Sequence, residues 1–114
     1  MMPNPDVVLL EHMLEAVERI GAYVDGVEEQ DFWRNREKQD AVPRQLQVLG
    51  EAAREVSGSL RERHPEVPWR KIAGMRNKVV HEYFVVDLEV VWETALVDVP
   101  ALRPSLEMMR EELP

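Results

Sequence analysis

Apolar residues return every three or four positions through most of this chain, and prolines mark where each run has to stop. Leu10, Met13, Val17, Ile20 and Val24 alternate steps of three and four, the period of an amphipathic helix. Asn4 ahead of Pro5 and Asp6 supplies a cap, a first-turn proline and an acid at the positive end of the dipole, so a helix is predicted from about residue 5 to about residue 26. Residues 28–38 are polar apart from Phe32 and Trp33 and read as a loop with one short helical turn. Asp40 is placed to cap the next helix with Pro43 in its first turn, Leu46, Leu49, Ala53 and Val56 as its buried stripe, and Gly58 as its end. His64-Pro65-Glu66-Val67-Pro68 is a connector. Pro68 then starts a helix that should carry Trp69, Ile72, Met75, Val79 and Val80 inward and run past His81. Asp87 opens another, with Val90, Val91 and Ala95 packing inward and Leu96 or Trp92 as further candidates. Pro100 and Pro104 should break the pattern before a short last helix from about residue 106 to about residue 113. Strand alternation of convincing length is absent. The expected fold is all-α, a four- to five-helix and mostly up-and-down bundle.

A chain of 114 residues can build one core, so residues 1–114 are expected to form a single domain. The absence of cysteine removes disulfides, thiolate metal sites and a cysteine nucleophile together, and it fits a cytoplasmic protein. Glu11, His12 and Glu15 interrupt the first apolar run, and no basic stretch precedes it, so neither a signal peptide nor a membrane span is expected. The net charge of −8 argues against broad nonspecific nucleic-acid binding. Its distribution is uneven. Residues 61–81 hold Arg61, Arg63, Arg70, Lys71, Arg76 and Lys78 against Glu62 and Glu66, a local +4 that leaves −12 for the rest. Such a cluster is either a solvated helix face or an anion-handling one.

Most catalytic signatures are missing: no Gly-rich phosphate loop, His-Glu-x-x-His pair or Gly-x-Ser-x-Gly elbow is present. His12 and His64 have no ligand-like companion at helical spacing, so no metal site is expected; His12 reads as an ordinary surface or boundary residue and His64 as a structural or solvated one. His81 stands in a richer setting, Arg76-Asn77-Lys78-Val79-Val80-His81-Glu82-Tyr83. On one continuous helix Arg76 and Tyr83 would fall in line, Asn77 and His81 would stack one turn apart, and Arg76 and His81 would diverge by about 140°. A two-fold partner could bring both pairs around one groove. The spacing alone favours an Arg76 paired with a nearby acid and a His81 at the negative end of the helix dipole.

The wider frame resembles the HepT-like family of the HEPN superfamily, over nearly the whole chain. The resemblance rests on Leu49-Gly50-Glu51-Ala52-Ala53, on Pro65-Glu66-Val67-Pro68-Trp69-Arg70, and on an Arg-polar-x-x-x-His-x-Tyr signature at Arg76, Asn77, His81 and Tyr83. Val86-Asp87-Leu88 with Trp92-Glu93, and the Asp98-Val99-Pro100-Ala101-Leu102 ending, follow in the family's order. Pro43 departs from an apolar helix former, and Pro104 from a usually helical tail. Neither touches the signature.

The resemblance implies a HEPN-like bundle and a toxin of a toxin–antitoxin pair: a metal-independent endoribonuclease that needs no cofactor and acts on RNA at a homodimer groove. Arg76 and His81 would be catalytic. Asn77, Lys78, Arg70 and Lys71 would support the site or guide the RNA backbone. The partner would be a minimal nucleotidyltransferase antitoxin that transfers AMP onto Tyr83. Adenylylation adds bulk and negative charge two residues from His81, which opposes RNA binding. Two other classes stay open from the residues themselves: a non-catalytic helical module that only engages the nucleotidyltransferase, and a purely structural helical protein.

Overall fold

The computed structural model describes residues 4–78, 80–81 and 85–114; of residues 77, 78, 80, 81, 85 and 86 it describes the backbone alone. Four longer helices carry the core: α1 (Pro5–Val24), α3 (Arg36–Glu55), α5 (Trp69–Lys78) and α7 (Val99–Glu112). Helix α3 packs between α1 and α5, and α1 also packs against α7. Their facing stripes bury Leu10, Met13, Ile20, Leu46, Leu49, Ile72, Met75, Leu106 and Met109, as the apolar period requires. The fold is an all-α bundle with a two-stranded hairpin of two residues per strand. Among the described residues, no helix is long and apolar enough to cross a membrane.

Local chemistry sets the helix ends. Asn4 Oδ1 accepts from the Asp6 N–H at 2.9 Å, and Gly26 at φ 69° takes the left-handed conformation just beyond α1. Asp6 also reaches across the chain, accepting from the Ser57 N–H at 2.9 Å and the Ser57 hydroxyl at 2.6 Å. Short α2 (Glu29–Phe32) is fixed by Phe32, fully buried and stacked on Trp92 at 4.8 Å. One buried aromatic contributes roughly 1.5–3 kcal/mol, which holds a turn that could not persist alone.

Four expectations are corrected. Helix α3 begins at Arg36, not after Asp40, because Asn35 Oδ1 accepts from the Lys38 N–H at 3.0 Å and Gln39 Nε2 donates to the Phe32 carbonyl at 2.9 Å. That anchored first turn leaves Pro43 in the helix interior, where it is buried. Gly58 does not end α3. Val56 does, and Ser57 caps an unforeseen α4 (Gly58–Arg63) by accepting from the Leu60 N–H at 3.2 Å.

Asp87 caps α6 (Leu88–Glu93) as expected, its Oδ1 accepting from the Val90 N–H at 3.2 Å. Trp92 is buried, while Leu96 is 43% exposed. Pro100 and Pro104 do not break the chain there. A π-helical turn, Thr94–Asp98, joins α6 to α7, and the Val99 N–H reaches back five residues to the Thr94 carbonyl. The wider turn makes room for the Pro100 ring, and both prolines lie on the exposed side, where water can serve the carbonyls they leave unbonded.

The fourth correction bears on function. Helix α5 stops at Lys78 and does not carry His81. Val80–His81 (β1) pairs antiparallel with Val85–Val86 (β2), Val80 opposite Val86 and His81 opposite Val85. Three of these four residues are β-branched valines, which pack well on an extended, pleated backbone.

Candidate active site

Arg76 sits on α5 two residues before its end, and its side chain is exposed. Its backbone is pressed against α3 at Gly50. A Cβ at residue 50 would stand 2.9 Å from the Arg76 nitrogen, 3.0 Å from the Arg76 Cβ and 3.1 Å from the Ala73 carbonyl oxygen. The two helices can approach this closely only because residue 50 has no side chain. Arg76 therefore leaves the bundle from a closely packed seat, and it lines an open hollow of about 380 Å³, walled by Glu51, Arg54 and Glu55 of α3. Among the described residues, neither Arg54 nor Arg76 makes an ion pair, although two carboxylates line the same hollow.

His81 follows in β1, so the helical geometry expected for the signature does not hold. Asn77 is the penultimate residue of α5 and His81 is a strand residue; they are not stacked one turn apart. The divergence of about 140° between Arg76 and His81 on one helix likewise has no counterpart. Tyr83, expected in line with Arg76, and Val79, expected in the core, lie outside the described residues.

The supporting cations separate. Arg70 is exposed and opens onto a different, broader hollow of about 770 Å³, shared with Val67, Pro68, Trp69, Lys71 and Gly74. The Lys71 ammonium donates to Asp98 Oδ1 at 3.0 Å, which draws it toward the π-helical turn. Lys78 is the last residue of α5. The structure thus brings Arg76 together with Arg54, not with Arg70 or Lys71. Sequence reasoning passed over Arg54 because it lies outside the basic run at 61–81, and gave Gly50 no role. A glycine next to Leu49 in a buried helical stripe is the signal that could have exposed the close approach.

Of the two roles expected for His64, structural or solvated, it takes the structural one. Its ring is buried, with Nε2 at 2.8 Å from Glu112 Oε2 and Nδ1 at 3.1 Å from Glu66 Oε1, and its carbonyl accepts from Trp69 Nε1 at 3.0 Å. The connector is thereby tied to both α5 and the end of α7. Glu66 is held below the ordinary carboxylate value, first by a backbone N–H at Glu66 itself and then by the His64 ring. His12 is exposed on α1. Among the described residues, no three His, Asp or Glu side chains gather as a metal-ligand group.

Comparison with known proteins places the chain in a family. The family model described as "Ribonuclease HepT-like" matches residues 13–109, a span that holds Gly50, Arg54 and the whole Arg76–Tyr83 segment. The "Probable ribonuclease HepT" of Thermococcus cleftensis is 38% identical over 102 residues, covering 90% of this chain and 93% of that one. A protein of Caldanaerobacter subterraneus subsp. tengcongensis, named "Putative RNase", is 38% identical over 104 residues, with 90% and 93% covered. Another of that name from Methanocaldococcus jannaschii is 34% identical over 113 residues, with 98% and 93% covered. No solved structure matches the chain. With the family model spanning most of its length and relatives aligned nearly end to end, the chain belongs to the ribonuclease HepT-like family.

Proposed function

We propose that the protein is an endoribonuclease that cleaves RNA without a metal ion, through Arg76 and His81. The observation that carries this reading is the family match across the Arg76–Tyr83 segment, with Arg76 held on a closely packed seat and turned to solvent. In the reaction a base takes the proton of a 2′-hydroxyl and its oxygen attacks the adjacent phosphorus. The bond to the 5′-oxygen breaks, and an acid returns a proton to that oxygen. An imidazole, titrating near pH ~6.5 when unperturbed, can do either task at neutral pH. A guanidinium stays charged and offers forked donors to the phosphorane-like transition state.

One His81 does not readily serve as base and acid together, so the active species is a homodimer that supplies two. Asn77 and Lys78, at the end of α5, support the site, and Arg70 and Lys71 guide the RNA backbone. The protein is the toxin of a toxin–antitoxin pair, and its partner is a nucleotidyltransferase that silences it by transferring AMP onto Tyr83. The experiment that tests the activity is incubation of the purified protein with a single-stranded RNA in excess EDTA, beside the same sequence as DNA. Cleavage of the RNA alone, leaving 2′,3′-cyclic phosphate ends, is the expected result. Cleavage that EDTA abolishes and a divalent ion restores would overturn the mechanism. An intact RNA under every condition would favour a binding module that only engages the nucleotidyltransferase.

A further inference from the structure

We infer that the hollow between α3 and α5 receives the ribonucleotide next to the scissile phosphate, with Arg54 pairing that nucleotide's phosphate; the inference rests on the ribonuclease reading. Gly50 brings α3 against the Arg76 backbone, so the last turn of α3 becomes the wall of the space into which Arg76 opens. That wall presents Arg54, exposed and without an ion pair among the described residues. A cation in the last turn of α3 is favoured by the helix dipole. The dipole does not explain why it shares a hollow with Arg76, since other faces of the same turn would serve equally.

The volume, about 380 Å³, lies toward the lower end of small-ligand sites, which run from roughly 300 to 1,000 Å³. That is room for about one nucleotide. Glu51 and Glu55 narrow the chemistry further. Two carboxylates beside two guanidiniums disfavour a bare polyanion, and they suit an occupant that brings hydrogen-bond donors together with its negative charge. A ribonucleotide does so through its 2′-hydroxyl and base N–H groups. Arg76 then addresses the scissile phosphate and Arg54 the next one along the strand, which would set the register of the RNA in the groove.

The test compares two substrates: a dinucleoside monophosphate, which has only the scissile phosphate, and a single-stranded RNA of about ten nucleotides. Arg54→Ala should lower kcat/KM on the longer RNA by about tenfold more than on the dinucleoside monophosphate, with the extra loss in KM. Arg76→Ala should instead lower kcat on both. Binding of the longer RNA, measured across salt concentrations, should lose about 0.7 from its log–log slope in Arg54→Ala, the contribution of one phosphate contact on a single strand. Arg54→Lys should recover most of the affinity. Equal losses on the two substrates, or an unchanged salt slope, would overturn the assignment. RNA that is bound but never cut would sink the ribonuclease reading while the slope still decides the role of Arg54. An absence of RNA binding by the wild type would defeat both.

Discussion

Gly50 and Arg76 meet backbone to backbone: a methyl group at residue 50 would lie 2.9 Å from the Arg76 nitrogen, closer than any real Cβ contact allows. Gly50→Ala must therefore push α3 and α5 apart, at an overpacking cost of about 1–3 kcal/mol. Thermal melting should show a lower Tm, and RNA turnover measured well below that Tm should fall as well, because Arg76 moves with its helix. Gly74→Ala is the matched control within α5, since a Cβ there meets nothing within 4 Å. It should raise the Tm, because alanine adds about 0.8–1 kcal/mol of helix propensity over glycine. A Gly50→Ala protein with unchanged stability would mean that the close approach is not maintained in solution.

The start of α3 makes a second comparison. Asn35→Ala removes the side chain that accepts from the Lys38 N–H and should cost about 0.5–2 kcal/mol of stability. Asp40 is exposed inside the helix, so Asp40→Ala should change stability by less than about 0.5 kcal/mol. Denaturant midpoints of the two variants settle which residue is the cap.

The apolar stripes of α1, α3 and α5 were readable because burial is periodic, and Leu10, Met13, Leu46, Ile72 and Met75 are indeed all buried. Asn4 and Asp87 were readable as caps because their partners lie within three residues. Asn35 and Asp40 offer the same local signal, and what decided between them was the burial of Phe32 against Trp92, sixty residues away in the chain. Prolines 43, 100 and 104 read as helix limits because a local rule cannot register a π-helical turn, or a helix already anchored upstream. In the site, Arg76 was legible as a candidate. The hollow it shares with Arg54 was not, since that depends on two helices meeting at Gly50. The hairpin at Val80–His81 was hidden by an apolar spacing that suits helix and strand alike.

The His64 latch carries a pH dependence of definite sign. Because the Glu66 carboxyl is held below its ordinary value of 4.5, it favours the folded state above that value and loses this contribution as pH falls through the lower, folded one. The Tm difference between wild type and Glu66→Gln should therefore be present near pH ~6 and shrink toward pH ~3. The effect should be small, since Glu66 is exposed. His64→Ala should cost more, because it removes both contacts and leaves a space beneath the connector. A Glu66→Gln difference that grew on acidification would contradict the assigned cause.

Silencing through Tyr83 is testable by mass. Tyr83→Phe should retain most ribonuclease activity, because no catalytic step is assigned to its hydroxyl. Incubated with the nucleotidyltransferase and ATP, the wild type should gain one or more AMP units and lose activity, and Tyr83→Phe should do neither. A mass gain that persists in the variant would put the modification on another residue.

Arg76 and His81 are proposed to cut RNA together. The direct measurement is the single-turnover cleavage rate of one RNA oligonucleotide, in EDTA, for wild type, Arg76→Ala and His81→Ala, each first matched by circular dichroism and melting. Arg76 is exposed, so its removal should leave the fold intact. Each substitution should lower the rate by about a hundredfold or more while stability stays close to wild type. Wild-type rates in either well-folded variant would contradict that proposal.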